Sequence, residues 1–174
     1  MSTILVAAII IAFTVIPPVV FVRFTKRKAE KRREKHFALL KNHGNDHSLS
    51  FTHEQLLKGR MLGLDLHSNK LLVLQTGDEP KSEVFDLEQV KSCTLFREYD
   101  AVRIYDTKAA KTEQVLSRIG LKLEFATGLS PVLIQFYNSQ QNGIYEISDL
   151  EKKATEWKDL IAGKASLANK LRRA

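Results

Sequence analysis

The chain carries one cysteine in 174 residues, Cys93, so no internal disulfide is possible, and a reducing compartment fits. A single thiol inside an alternating apolar stretch reads as a small core side chain rather than a reactive group. Proline and glycine are scarce, at four and eight residues, which excludes a low-complexity or collagen-like chain. No GxSxG, glycine-rich phosphate loop, HExxH or paired Cys/His framework occurs. A catalytic constellation and a cofactor are therefore not expected, and a small-molecule enzyme ranks third among the functional readings. Charge is also missing where it would be informative. The first 22 residues hold none, and residues 42–174 carry eighteen basic against eighteen acidic side chains. The net charge of +7 and the pI near 9.5 thus belong to residues 23–41, where nine Lys/Arg face Glu30 and Glu34. A nucleic-acid partner is not expected for a folded part whose charge balances.

Ile4 to Val22 is an uncharged run of nineteen residues. At about 1.5 Å per helical residue it would cover about 28 Å, close to the roughly 30 Å hydrocarbon core of a bilayer. The sequence therefore predicts an N-terminal transmembrane helix over residues 1–22, kinked at Pro17-Pro18. A cleaved signal peptide fits less well, because no cation precedes the run and a dense basic stretch follows it. The excess of Lys/Arg after the run predicts a single-pass protein of the inner (plasma) membrane, with a short outer N-terminus and a cytoplasmic domain.

Residues 23–41 predict a basic juxtamembrane helix, ending in an apolar patch of Phe37, Leu39 and Leu40. Arg23, Lys26, Arg27, Lys28, Lys31, Arg32, Arg33 and Lys35 are the candidate lipid-headgroup residues. The favoured reading of these residues is nonetheless as topology determinants on a solvated spacer. Residues 42–51 predict a polar linker. Its histidines His43 and His47, with His53-Glu54 beyond, lack the spacing of a closed metal site and read as exposed residues, so no metal is expected.

From 52 to 174 the pattern is that of one domain. Thr52-His-Glu-Gln55 matches a capping box and predicts a short helix. Leu62, Leu64 and Leu66 alternate, the turn His67–Lys70 follows, and Leu71–Gln75 returns as a hairpin. Strands are expected over Ser82–Phe85, Val90–Glu98, Ile119–Phe125, Val132–Tyr137 and Ile144–Ile147, the last two joined by Asn142-Gly143. Asp100–Lys111 reads as a strand end and an exposed loop. Ser148-x-x-Glu151 forms a second capping box, and Leu150, Ala154, Trp157 and Ile161 make one apolar helical stripe. The fold class is α+β: an antiparallel bent sheet or partly open barrel of about seven strands, closed by a C-terminal amphipathic helix.

This order of elements over Met61 to Ile161 resembles the pleckstrin-homology-like superfold, in which such a helix closes a bent sheet. The runs Gly63-Leu-Asp-Leu-His-Ser-Asn-Lys-Leu-Leu72 and Ala154-Thr-Glu-Trp-Lys-Asp-Leu-Ile161 are also similar to those of uncharacterised bacterial membrane-anchored proteins. The similarity to those proteins adds no mechanism. The superfold resemblance does not carry over a phosphoinositide site, because the first hairpin offers only Lys70. The leading expectation is a membrane-tethered, non-catalytic module that recruits a protein partner or joins a membrane complex. An anionic-lipid sensor acting through the basic residues is the alternative.

Overall fold

The computed structural model describes residues 27–28, 30–77, 79–106, 109–126 and 128–171. A helix α1 (residues 30–46) leads into four strands: β1 (His53–Leu57), β2 (Arg60–Asp65), β3 (Lys70–Gln75) and β4 (Lys81–Asp86). A 3-10 turn, η1 (Leu87–Gln89), turns the chain into β5 (Val90–Asp106), β6 (Ala109–Phe125) and β7 (Val132–Asn138). A second 3-10 turn, η2 (Ile144–Glu146), runs into the long helix α2 (Ile147–Leu171). The strands form two antiparallel sheets, in the orders β1-β2-β3-β4 and β5-β6-β7.

Two expectations are corrected here. Among the described residues no helix is long and apolar enough to cross a membrane. Both described helices are amphipathic and charged along one side, and the Ile4–Val22 run lies outside the described residues. An N-terminal transmembrane helix, and the single-pass inner-membrane placement built on it, are therefore not supported. Nor do the described residues form a single bent sheet or a partly open barrel. The two sheets are separate, and η1, N-capped by the Asp86 carboxylate, which accepts from the Glu88 amide, breaks the ladder between β4 and β5.

The main core lies between the sheets and under α2. It contains Leu62, Leu64, Leu71 and Val73 from the first sheet and Ile119, Leu121, Leu123, Ile134 and Phe136 from the second. The α2 stripe Leu150, Ala154, Trp157 and Ile161 completes it, as expected from its spacing. A second core sits on the opposite face of the first sheet. There Met61, Leu72 and Leu74 meet Leu40 of α1 and Leu49, with Phe37, Leu39 and Phe51 packed alongside. The run Leu71-Leu-Val-Leu74 is explained by these two cores: alternate side chains of β3 serve opposite faces, and both faces are covered.

The segment expected as a linker is thus a packed joint. α1 continues to residue 46, Leu49 is buried, and the ring of Phe51 lies between two glycines. A Cβ on Gly44 or on Gly63 would come within 2.6 Å of that ring, so neither position accepts a side chain without moving Phe51. Thr52 does not cap a helix, which corrects the first capping-box reading. Its amide and hydroxyl both donate to the Leu64 carbonyl, at 2.8 and 2.9 Å, and the following residues pair with β2. Tertiary pairing has overridden a local signal here.

Asp65 rivets this joint to the β2–β3 turn. Its buried carboxylate accepts from the amides of Ser50 (2.8 Å), His67 (2.8 Å) and Ser68 (3.0 Å). Burial alone would raise its pKa, but the Ser50, Ser68 and His67 amides outweigh it and hold the carboxyl at about 2. A depressed carboxylate gives stability that is present above its unfolded value near 3.9 and is lost as pH falls through about 2. Above that unfolded value the contribution is about 2 kcal/mol, and it falls away across the range between the two. Asp65→Asn should lose about 1–2 kcal/mol at neutral pH and show a shallower decline below pH 4, read by urea denaturation across pH. Equal acid slopes for the two proteins would show that Asp65 does not carry this term.

The region expected as a loop, Asp100–Lys111, instead belongs to a long hairpin, a further correction. β5 and β6 pair from Val90↔Phe125 to Asp106↔Ala109, with irregularities at Val90/Ser92 and Glu98/Tyr99. Since β7 pairs only with Arg118–Leu123, the far half of the hairpin has no third strand, and Tyr99, Val102 and Val115 are exposed there.

Candidate functional site

The residues expected as a strand, Ile144–Ile147, form no strand. They are η2 and the first residue of α2, and they make the most exposed apolar feature among the described residues: Ile144 is 81% and Tyr145 88% exposed. The local sequence dictates this knuckle. After β7 the Asn142 side chain reaches back to accept from the Asn138 amide (3.1 Å), and the amides of Gln141 and Asn142 donate to the Asn138 carbonyl (2.9 and 2.8 Å). Glu146 then plays the part foreseen for Glu151. One of its carboxylate oxygens accepts from the Gly143 amide (2.7 Å), the Asn142 side-chain amide (3.2 Å) and the Lys58 ammonium (2.8 Å). Lys58 and the Gly143 amide accordingly hold its pKa below the usual carboxylate range. Ser148, expected as a cap, already lies inside α2, and Glu151 is bonded to Arg97 of β5.

Gly143 leaves room for the aromatic ring. A Cβ there would come within 2.3 Å of the Tyr145 ring, so this side chain keeps its outward pose only because position 143 has none. Lys58 also donates to the Gln141 carbonyl (2.9 Å), which ties the knuckle to the β1–β2 turn of the other sheet. A fixed turn thus presents a tyrosine and an isoleucine to solvent.

Beside the knuckle opens a cleft of about 410 Å³ where α1, the first sheet and the start of α2 meet. His36, Leu57, Lys58, Glu146, Leu150 and Lys153 contribute to its lining. Its charges are engaged in pairs, Lys58 with Glu146 and Lys153 with Asp149 (2.6 Å), and it pairs no nucleophile with a base. Cys93, half-buried against the main core, has its thiol pushed up to about 11, chiefly by burial. Such a thiol is protonated at neutral pH and a poor nucleophile.

The other residues singled out from sequence lie apart from this surface. Arg27 and Lys28 are exposed ahead of α1, Lys31, Arg32, Arg33 and Lys35 are exposed on its first turns, and Arg23 and Lys26 lie outside the described residues. Arg33 is placed over the Phe37 ring, 5.5 Å from its centre. His43 is half-buried, while His47 and His53 are exposed. Among the described residues no group of three or more His, Cys, Asp or Glu is placed to hold a metal ion. Sequence reasoning missed Ile144 and Tyr145 because their alternation imitates a strand. The signal that could have found them is Glu146 three residues after Gly143, where a carboxylate reaches back to a turn amide. Compared with known proteins, the chain matches no family model, no curated protein and no solved structure.

Proposed function

We propose that this protein is a non-catalytic binding module that recruits a protein partner through the Ile144–Tyr145 knuckle. The observation that carries the reading is the near-complete exposure of two adjacent apolar side chains on a turn fixed by the Glu146 network. A mobile loop would have to be ordered on binding, at about 0.5–1.5 kcal/mol per immobilised side chain, whereas this turn is already set. Tyrosine is among the side chains that dominate interface energies, because it brings a large rigid area with a polar tip. The apolar lining from Leu57 and Leu150, within a polar rim of Lys58, Glu146 and Lys153, extends the surface into the neighbouring cleft. This is the common anatomy of a partner-binding patch.

Tyr145→Ala in the full-length chain should leave the denaturation midpoint within about 0.5 kcal/mol of the wild type, since the side chain packs on little. The same change should reduce partner retention at least tenfold, in line with a loss of about 2 kcal/mol at an interface centre. Comparing the two proteins in native extracts, with the retained protein quantified, measures this directly. Equal retention by both would reject the knuckle as the contact.

A further inference from the structure

Beyond the reach of β7, β5 and β6 run on as a two-stranded arm. Their register continues from Tyr99↔Leu116 to Asp106↔Ala109, whereas β7 stops at Asn138, opposite Arg118. The Ser139 amide donates to the Ser117 carbonyl (2.9 Å), and from Leu116 to Ala109 the outer edge of β6 has no strand beside it among the described residues. A two-stranded ribbon is marginal in water, and an open edge is a template for a further strand. The arm exposes Tyr99, Val102 and Val115, at 53, 43 and 46%. Residues 99–116 hold Arg103, Lys108 and Lys111 against Asp100, Asp106 and Glu113, so two copies of the arm meet without net repulsion.

We infer that this edge pairs with the same edge in a second copy of the chain, antiparallel about a two-fold axis at Thr112, so that two arms form one four-stranded sheet. Length and charge give the same register. The free edge runs from Ala109 to Leu116, and with the axis at Thr112 the stretch 109–115 pairs with itself in full, each copy's Ala109 opposite the other's Val115, just short of where β7 begins. About the same axis Lys111-Thr112-Glu113 is self-complementary: each copy's Lys111 comes opposite the other's Glu113, twice in one interface. Residues opposite each other in a ladder lie on the same face of the sheet, so a symmetric pairing can be re-centred only by whole residues. One step either way sets Lys111 or Glu113 opposite itself, which is destabilising, and longer steps run into β7 or past the end of β6. The outer edge of β5 offers no such pairing, because its exposed Asp100 and Arg103 are three positions apart and alternate to opposite faces.

The test is sedimentation equilibrium of the full-length chain over a dilution series, in a density-matched mild detergent that keeps the apolar Ile4–Val22 run in solution. A reversible dimer is expected. Lys111→Glu alone, or Glu113→Lys alone, sets like charges opposite each other twice and should weaken dimerisation at least tenfold at an unchanged melting temperature. Mixing the two single variants should restore the dimer, because two carboxylates on one copy then meet two ammonium groups on the other. The double variant Lys111→Glu, Glu113→Lys exchanges the charges within each copy and should dimerise as the wild type does. A wild type that is monomeric at every concentration, single variants that dimerise as it does, or a mixture of folded single variants that stays monomeric would each overturn the inference. The dilution series needs no variant, so the inference stays testable if a variant folds poorly.

Discussion

Trp157→Ala is expected to cost about 3–5 kcal/mol, a large share of the roughly 5–15 kcal/mol that holds an ordinary domain together. Trp157 is buried, and α2 packs on β5, β6, β7 and η1. Removing the indole opens a cavity where the helix meets the second sheet, and the sheets can close over it only in part. Lys153→Ala, which removes one exposed i,i+4 pair with Asp149, should change stability by less than about 0.5 kcal/mol. Guanidinium denaturation of both variants gives the contrast. An unchanged midpoint for Trp157→Ala would mean that α2 is an arm and not a wall of the core.

The second large effect belongs to α1. Leu40 is fully buried in the outer core with Met61, Leu72 and Leu74, so Leu40→Ala should destabilise by about 2–5 kcal/mol. A chain shortened to begin at Asn42 loses Phe37, Leu39 and Leu40 together and uncovers part of one face of β2 and β3, with only Leu49 and Phe51 of the cover remaining. The balanced charge and strand-plus-helix pattern of residues 42–174 would by themselves predict a fragment that folds alone as a monomer. The packing of α1 reverses that expectation, and gel filtration of the shortened chain should show association or loss of the folded species. A monomeric fragment as stable as the full chain would contradict the second core.

Legibility in the sequence followed the reach of the forces involved. The α2 stripe could be read because helical spacing and burial agree over about three turns, and Ile119–Phe125 because strict alternation has no helical rival. Leu71–Leu74 announced burial on both faces but could not say what covers the second, since the contact with Leu40 spans more than thirty residues. Expectation and structure agree on seven strands only because two differences cancel. Thr52–Gln55 carries a helix-start pattern yet pairs as β1, while Ile144–Ile147 carries a strand pattern yet folds as a turn and a helix start. Each local preference is worth at most about 1–2 kcal/mol, which a ladder of backbone pairs or a three-donor carboxylate can reverse. The Ile4–Val22 run has the length and apolarity of a span, but among the described residues nothing corresponds to one. The candidate site was the least legible part. Its exposure results from Lys58, in the first hairpin, meeting Glu146 across the domain, and spacing along the chain does not encode that meeting.

The most direct measurement is photo-crosslinking in the native cell, with a photoreactive phenylalanine analogue placed at position 145 and, as control, at Lys152 on the exposed side of α2. If the knuckle is the recruiting surface, position 145 should give a discrete protein adduct that disappears with Ile144→Ser, and position 152 should give none. No adduct at 145, or the same adducts at 145 and 152, would contradict it.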